Sequence, residues 1–269
     1  MLLCRRALPG CIVGLVLLSV PVAPAQEAGL EGRAVMERVD ARPRGGDQTA
    51  RVTWRLIDKK GRERVRETRS YWRDHRELPD GLRAKRLIVF DAPPEVRETG
   101  FLVWSHEDAL KDDERWVYLP ALRKVRRVAG RDRSKSFVGT DFSYDDLSDR
   151  GLDDDSHRLL REQELAGVRH YVVESVPREE GSPYARRVQY VDAERYTVTR
   201  IEYEDRSGRP KKVLDAHWQE VDGIFAWDRL EMRDGKSGHR TVVEVREVQH
   251  GTGLPDDIFS ETTLRLGVP

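Results

Sequence analysis

The sequence predicts a mainly β chain of the α+β kind, organised as one long, curved antiparallel sheet. Three observations lead there. Between residues 51 and 248, short segments alternate apolar and polar residues with a period of two, which places one strand face in a core and the other in water. The breaks between them are Gly, Asp and Pro turns of the kind that joins neighbouring strands directly. A sheet of about a dozen strands would expose its edges and one whole face if flat, so it should curl toward a barrel.

Taken in order, residues 29–41 (GLEGRAVMERVDA) carry Leu30, Ala34 and Val35 at roughly helical spacing and predict a short amphipathic helix. Arg42-Pro43-Arg44-Gly45-Gly46-Asp47 breaks it. The period then changes to two: Val52, Trp54 and Leu56 alternate with Arg51, Thr53 and Arg55, and residues 58–61 turn the chain into a second alternating segment, 62–73. Further strands are expected at 85–91, 100–105, 114–119 and 122–128. The second half adds 158–164, 169–176, 184–191, 198–204, 211–221, 224–232 and 241–248. Asp222-Gly223, between WQEV and IFAW, is the sharpest hairpin signal. Tight turns throughout imply an antiparallel meander in one domain, residues 26–269.

The ends and the composition bound the setting. Arg5-Arg6, the apolar run from Cys11 to Val20 and Ala23-Pro24-Ala25 together read as a secretory signal peptide over residues 1–25, so the chain is expected to be exported. Cys4 and Cys11 both lie inside that leader, which leaves no thiol for disulfides, thiolate metal sites or a cysteine nucleophile. Removing the leader takes away Arg5 and Arg6 and no acid, leaving 46 basic against 48 acidic side chains. A near-neutral balance gives no reason to expect nucleic acid.

Motifs of chemistry are sparse. The histidines at 75, 106, 157, 170, 217, 239 and 250 are scattered, and no zincin motif, G-x-S-x-G elbow, Walker loop or G-x-G-x-x-G turn is present. The chain is therefore read as non-enzymatic, with no metal and no cofactor. A hydrolase would require a serine or aspartate converging with one of the histidines. Asp141, Asp145, Asp146, Asp149 and Asp153 to Asp155 do not follow the order of a calcium loop. They are expected to cap turns (Asp141, Asp145) or sit in a solvated loop (Asp153 to Asp155). The basic residues between Arg123 and Lys135 face this acidic stretch in sequence and could neutralise it, or else meet an anionic head group or partner.

The aromatic residues Trp54, Trp72, Trp104, Trp116, Trp218 and Trp227, with Phe101, Tyr118, Phe137 and Phe142, could line an apolar cavity or simply fill a core. The residues then meet a known pattern. WVYLPALRKVRRV (Trp116 to Val128) followed by SFVGTDFSYDDL (Ser136 to Leu147) resembles the signature of the outer-membrane lipoprotein-sorting, LolA-like family, in its uncharacterised periplasmic subgroup. RLIVFDAPPEVRETGFLVW (Arg86 to Trp104) and LPDDIFSETTLR (Leu254 to Arg265) support it.

That resemblance implies an incomplete antiparallel half-barrel with short helices over its concave face and a pocket for acyl chains. It implies a periplasmic carrier of lipid or lipoprotein chains, with an RND- or MMPL-type transporter as partner and no nucleic acid. On this reading Trp54, Leu56, Phe101, Trp104, Trp116, Tyr118, Phe137 and Phe142 bind the apolar ligand. Arg123, Lys124, Arg126 and Arg127 contact an anionic head group or a partner. The alternative is an envelope interaction module, partnering a membrane transporter, whose half-barrel is filled by its own side chains.

Overall fold

The computed structural model describes residues 31–268; the leader expected over residues 1–25 lies outside them. Helix α1 (Gly32–Asp40) is followed by β1 (Asp47–Ile57), β2 (Glu63–Asp74), β3 (Leu82–Ala92), β4 (Gly100–His106), β5 (Glu114–Leu119) and β6 (Lys124–Arg127). The second half runs β7 (Asp155–Leu165), β8 (Val168–Pro177), β9 (Arg186–Asp192), β10 (Val198–Glu204), β11 (Pro210–Val221), β12 (Ile224–Asp234), β13 (Arg240–His250) and α2 (Glu261–Leu266).

All thirteen strands form one curved antiparallel sheet in the order β6-β5-β4-β3-β2-β1-β13-β12-β11-β10-β9-β8-β7. The order follows from two meanders. The first runs from the centre to the β6 edge, the second from the β7 edge back to the centre, where β13 closes on β1 with Trp54 opposite Val243. The hairpin at Asp222-Gly223 forms as its dipeptide predicts, with φ of 52° and 77°, the left-handed pair a two-residue turn of this twist requires.

This topology has one physical consequence for function. Because β6 and β7 are the two opposite edges, the connection between them, residues 128–154, must cross the whole width of the trough. It does so over the concave face, with 3-10 turns at 130–132, 145–147 and 152–154 and a small hairpin bridged at Ser136 and Ser143. The tip of that hairpin uses left-handed backbone at Val138 and Gly139, φ 46° and 76°.

Strand alternation sorts the core into faces. Val52, Trp54, Leu56, Ile88, Phe90, Phe101, Val103, Leu230 and Val243 point into the trough and pack with Phe137 and Phe142 of the crossing segment. Leu87, Val89, Leu102 and Trp116 point to the convex side, where Ile258, Phe259 and Leu264 cover them. Helix α1 lies at the β7–β9 end of the trough, its Val35 packed on Tyr171, Val173 and Val191. It docks on backbone: a Cβ at Gly32 would stand 2.4 Å from the Leu159 nitrogen, so only glycine permits this approach. Helix α2, by contrast, packs on the convex side, its Ser260 cap accepting from the Thr263 amide at 3.2 Å.

Candidate functional site

Between the concave face and the crossing segment lies a cavity of about 400 Å³. Its apolar wall comes from alternate residues of the central strands, including Trp54, Ile88, Leu230, Val243 and Val245, joined by Trp218 and Phe225 from the β11–β12 side. Met36 and Val39 of α1 close one end, and Phe142 and Leu147 of the crossing segment form the roof. The Phe142 ring stands edge-on to Trp54, with centroids 5.7 Å apart. Such a pair contributes shape as well as buried area.

The predicted apolar residues divide into three groups. Trp54 and Phe142 line the cavity. Leu56, Phe101 and Phe137 share the same core cluster but lie at its filled end, each 1 % exposed or less, with Phe137 packed between Trp54, Phe90 and Phe101 at 5.4–5.7 Å. Trp104, Trp116 and Tyr118 are a correction: they sit on the convex face under α2, Trp104 edge-on to Trp116 at 5.1 Å. The reason is parity. On β4, Phe101 and Val103 face the trough, so Trp104 cannot; on β5, Trp116 pairs with Leu102 and shares its face. The basic run lies on the free edge strand β6: Arg123, Lys124, Arg126 and Arg127 are exposed, Arg127 pairing with Glu114 at 3.3 Å. Charged side chains along an open edge oppose pairing with another sheet.

The acidic stretch is the second correction. Asp141 and Asp145, expected to cap turns, and Asp155, expected in a solvated loop, instead fasten the crossing segment to side chains of the sheet, whereas Asp153 is exposed as expected. Asp145, 5 % exposed, faces Arg115, Arg133 and Arg187 at 3.7, 3.5 and 3.8 Å. Asp146 pairs with Lys212, both side chains 4 % exposed, and accepts from Ser143 N, Ser143 Oγ and Tyr184 OH at 2.6, 2.7 and 2.8 Å. Asp149 pairs with Arg44 and lies 3.4 Å from Arg83, which also pairs with Asp40. Asp155 takes Arg150 at 2.8 Å and Arg187 at 3.3 Å, and Asp141 accepts from Thr241 Oγ1 at 2.7 Å. Only Arg133 comes from the basic run beside it, so the expected neutralisation within the loop is largely replaced by pairing across the trough.

Burial raises each of these carboxyls, but the facing cations and hydrogen bonds outweigh it and hold Asp146, Asp149 and Asp155 below the usual carboxylate range. Asp154 behaves oppositely. Burial pushes it up to about 6, while it accepts from the Gly151 amide at 2.7 Å.

His75 is buried between Asp80, 2.8 Å from its Nδ1, and Asp256, 3.0 Å from Nε2 but out of line for a hydrogen bond. His157 Nδ1 lies 2.8 Å from Ser175 Oγ, a serine–histidine contact, yet Ser175 is 0 % exposed and His157 Nε2 is held by the Leu152 carbonyl at 2.9 Å. A serine with no accessible face cannot attack a substrate in this conformation. Sequence reasoning missed the aliphatic wall of Leu230, Val243 and Val245, although its alternation was visible; aromatic residues drew attention that the β-branched ones deserved equally.

A family model described as an uncharacterized protein matches residues 83–266. No curated protein matches the sequence. Among solved structures, a domain from Vibrio parahaemolyticus named for outer membrane lipoprotein sorting is 28% identical with a TM-score of 0.81, covering 87% of this chain and 98% of its own. A DUF1329 family protein from Desulfovibrio piger is 28% identical with a TM-score of 0.82, covering 87% and 97%. A LolA superfamily protein from Nitrosomonas europaea, 17% identical with a TM-score of 0.69 over 86% and 98%, shares the fold.

Proposed function

The chain belongs to the DUF1329 family of uncharacterized proteins, and from that membership and the cavity we propose that it is a carrier holding an acyl chain on the concave face. The cavity carries the reading. At about 30 Å³ for a group the size of a water molecule, roughly a methylene, 400 Å³ takes one chain of about a dozen carbons. Burying each methylene gives roughly 0.8 kcal/mol, so the gross gain is about 10 kcal/mol before association costs of about 4 kcal/mol or more. Such a balance suits reversible pick-up and release.

The leader expected over residues 1–25 and the lipoprotein-sorting name of the Vibrio relative support placing this carrier in the periplasm, passing chains of lipids or lipoproteins between envelope components. No covalent chemistry is needed. An RND- or MMPL-type transporter is the proposed partner, and the exposed basic edge, Arg123, Lys124, Arg126 and Arg127, the proposed contact for an anionic head group or partner surface. One observation favours the second reading, a filled interaction module: Phe137 already occupies the end of the trough around Leu56 and Phe101.

A fluorescent fatty acid separates the two. Titrated into the wild type it should saturate at one per chain, and Ala50→Phe, which fills the cavity from β1, should weaken binding at least tenfold while the protein still melts cooperatively. No uptake by the wild type would sink the carrier reading and leave the module.

A further inference from the structure

The cavity is not uniformly apolar, and its charges do not balance locally. Eleven charged residues line it: Asp40, Arg42, Arg44, Arg83, Arg86, Asp145, Asp146, Asp149, Arg150, Asp155 and Arg187. Nine of them are in the ion pairs described above. Among the described residues, Arg42 and Arg86 are in none. The Arg86 Nε is buried with no hydrogen-bond partner. Arg42 donates only to the Val39 carbonyl, at 3.3 Å, and its guanidinium lies 4.7 Å over the Trp218 ring.

They stand on different parts of the wall, Arg42 over Trp218 of β11 and Arg86 on β3 beside Trp72, with Arg44 as the charge that acts on both. Burial first, and the charge of Arg44 second, bring Arg42 down to about 10, and burial together with Arg44 also lowers Arg86. The one carboxylate whose field reaches Arg86 is Asp149, which is already shared by Arg44 and Arg83. Both side chains are half-buried, and a guanidinium withdrawn from water without a paired anion is costly unless something supplies the missing charge. Arg86 also stands at a boundary. Trp72 is its cross-strand partner, and two residues further along the same face of β3 Ile88 begins the apolar wall that continues to Trp54.

We propose that the cavity binds a single-chain anionic amphiphile, its carboxylate or phosphate head held by Arg86 and its tail laid along Ile88, Trp54 and the β12–β13 wall. This rests on the carrier reading and narrows it to a substrate class. Arg86 supplies the planar, two-pronged donor that matches either head group.

The test titrates the full chain with dodecanoate, dodecyl phosphate, dodecanol and inorganic phosphate. The two anionic chains should bind at least tenfold more tightly than dodecanol, and the stronger of them names the head; inorganic phosphate alone should not saturate. Arg86→Met should remove that preference, and it should raise the melting temperature of the ligand-free protein, because it removes a partly buried charge that no carboxylate pairs with. If dodecanol binds the wild type as tightly as the anionic chains, the head-group proposal falls and the carrier stands. If no chain binds, the carrier reading fails and takes this proposal with it. If inorganic phosphate binds as tightly as dodecyl phosphate, Arg86 forms a free-anion site and the amphiphile proposal is overturned.

Discussion

Replacing Asp146 with alanine should unfasten the crossing segment and remove the roof of the cavity. The carboxylate is 4 % exposed and gathers Lys212, both the amide and the hydroxyl of Ser143, and the Tyr184 hydroxyl. Without it the Lys212 ammonium, also 4 % exposed, keeps only the Asp141 carbonyl at 3.4 Å and the faces of Tyr184 and Tyr203 at 5.1 Å. Stranding one partner of a buried pair costs about 3–5 kcal/mol. At about 2–4 °C per kcal/mol for a chain of this size, the melting temperature should fall by about 6–20 °C. Urea unfolding followed by tryptophan fluorescence measures the loss. Adding Lys212→Met should recover part of it, since no buried charge is then left alone, giving a coupling of about 1–3 kcal/mol between the two sites. A single-variant loss under about 1 kcal/mol, or strictly additive effects, would refute the claim that this pair clamps the segment.

Trp116→Ala should cost about 3–5 kcal/mol of stability by emptying the convex cluster under α2, yet leave fatty-acid affinity unchanged, whereas Phe142→Ala should lower both; parallel melting and binding curves check this. Stability should also depend on pH through Asp154. Its folded pKa of about 6 lies above the ordinary 3.8, so the folded state binds more protons between these values, and this group's contribution falls as pH rises from about 4 to 7, by up to about 3 kcal/mol. Asp154→Asn should flatten that slope in urea midpoints taken across the range. Below pH 4 the trend should reverse, because Asp146, Asp149 and Asp155 have lowered folded pKa values, and the stability they contribute is lost as they protonate.

Strand positions, the meander and the hairpin turns were legible in the sequence because they are local: a period of two and an Asp-Gly pair act within a few residues. Helix α2 was not, since six residues carry little periodicity and its place depends on an apolar face of β3 to β5 that only tertiary pairing creates. The same limit explains the site. Trp104 and Trp116 look like pocket aromatics until strand parity assigns their face. The carboxylates of the crossing segment look like a wet loop until the sheet order places β6 and β7 at opposite edges, so that the connection between them spans the basic residues of the concave face. Unpaired Arg42 and Arg86 are invisible in a chain of 48 basic and 48 acidic residues, where every charge has a nominal partner.

The central claim is that the concave cavity carries an acyl chain. Mass spectrometry of an organic extract from the protein, purified without detergent, tests it most directly. The account predicts one acyl species per protein, with a single chain of about a dozen carbons or slightly more in the cavity and an anionic head. A clean extract from a protein that also takes up no added fatty acid would contradict it.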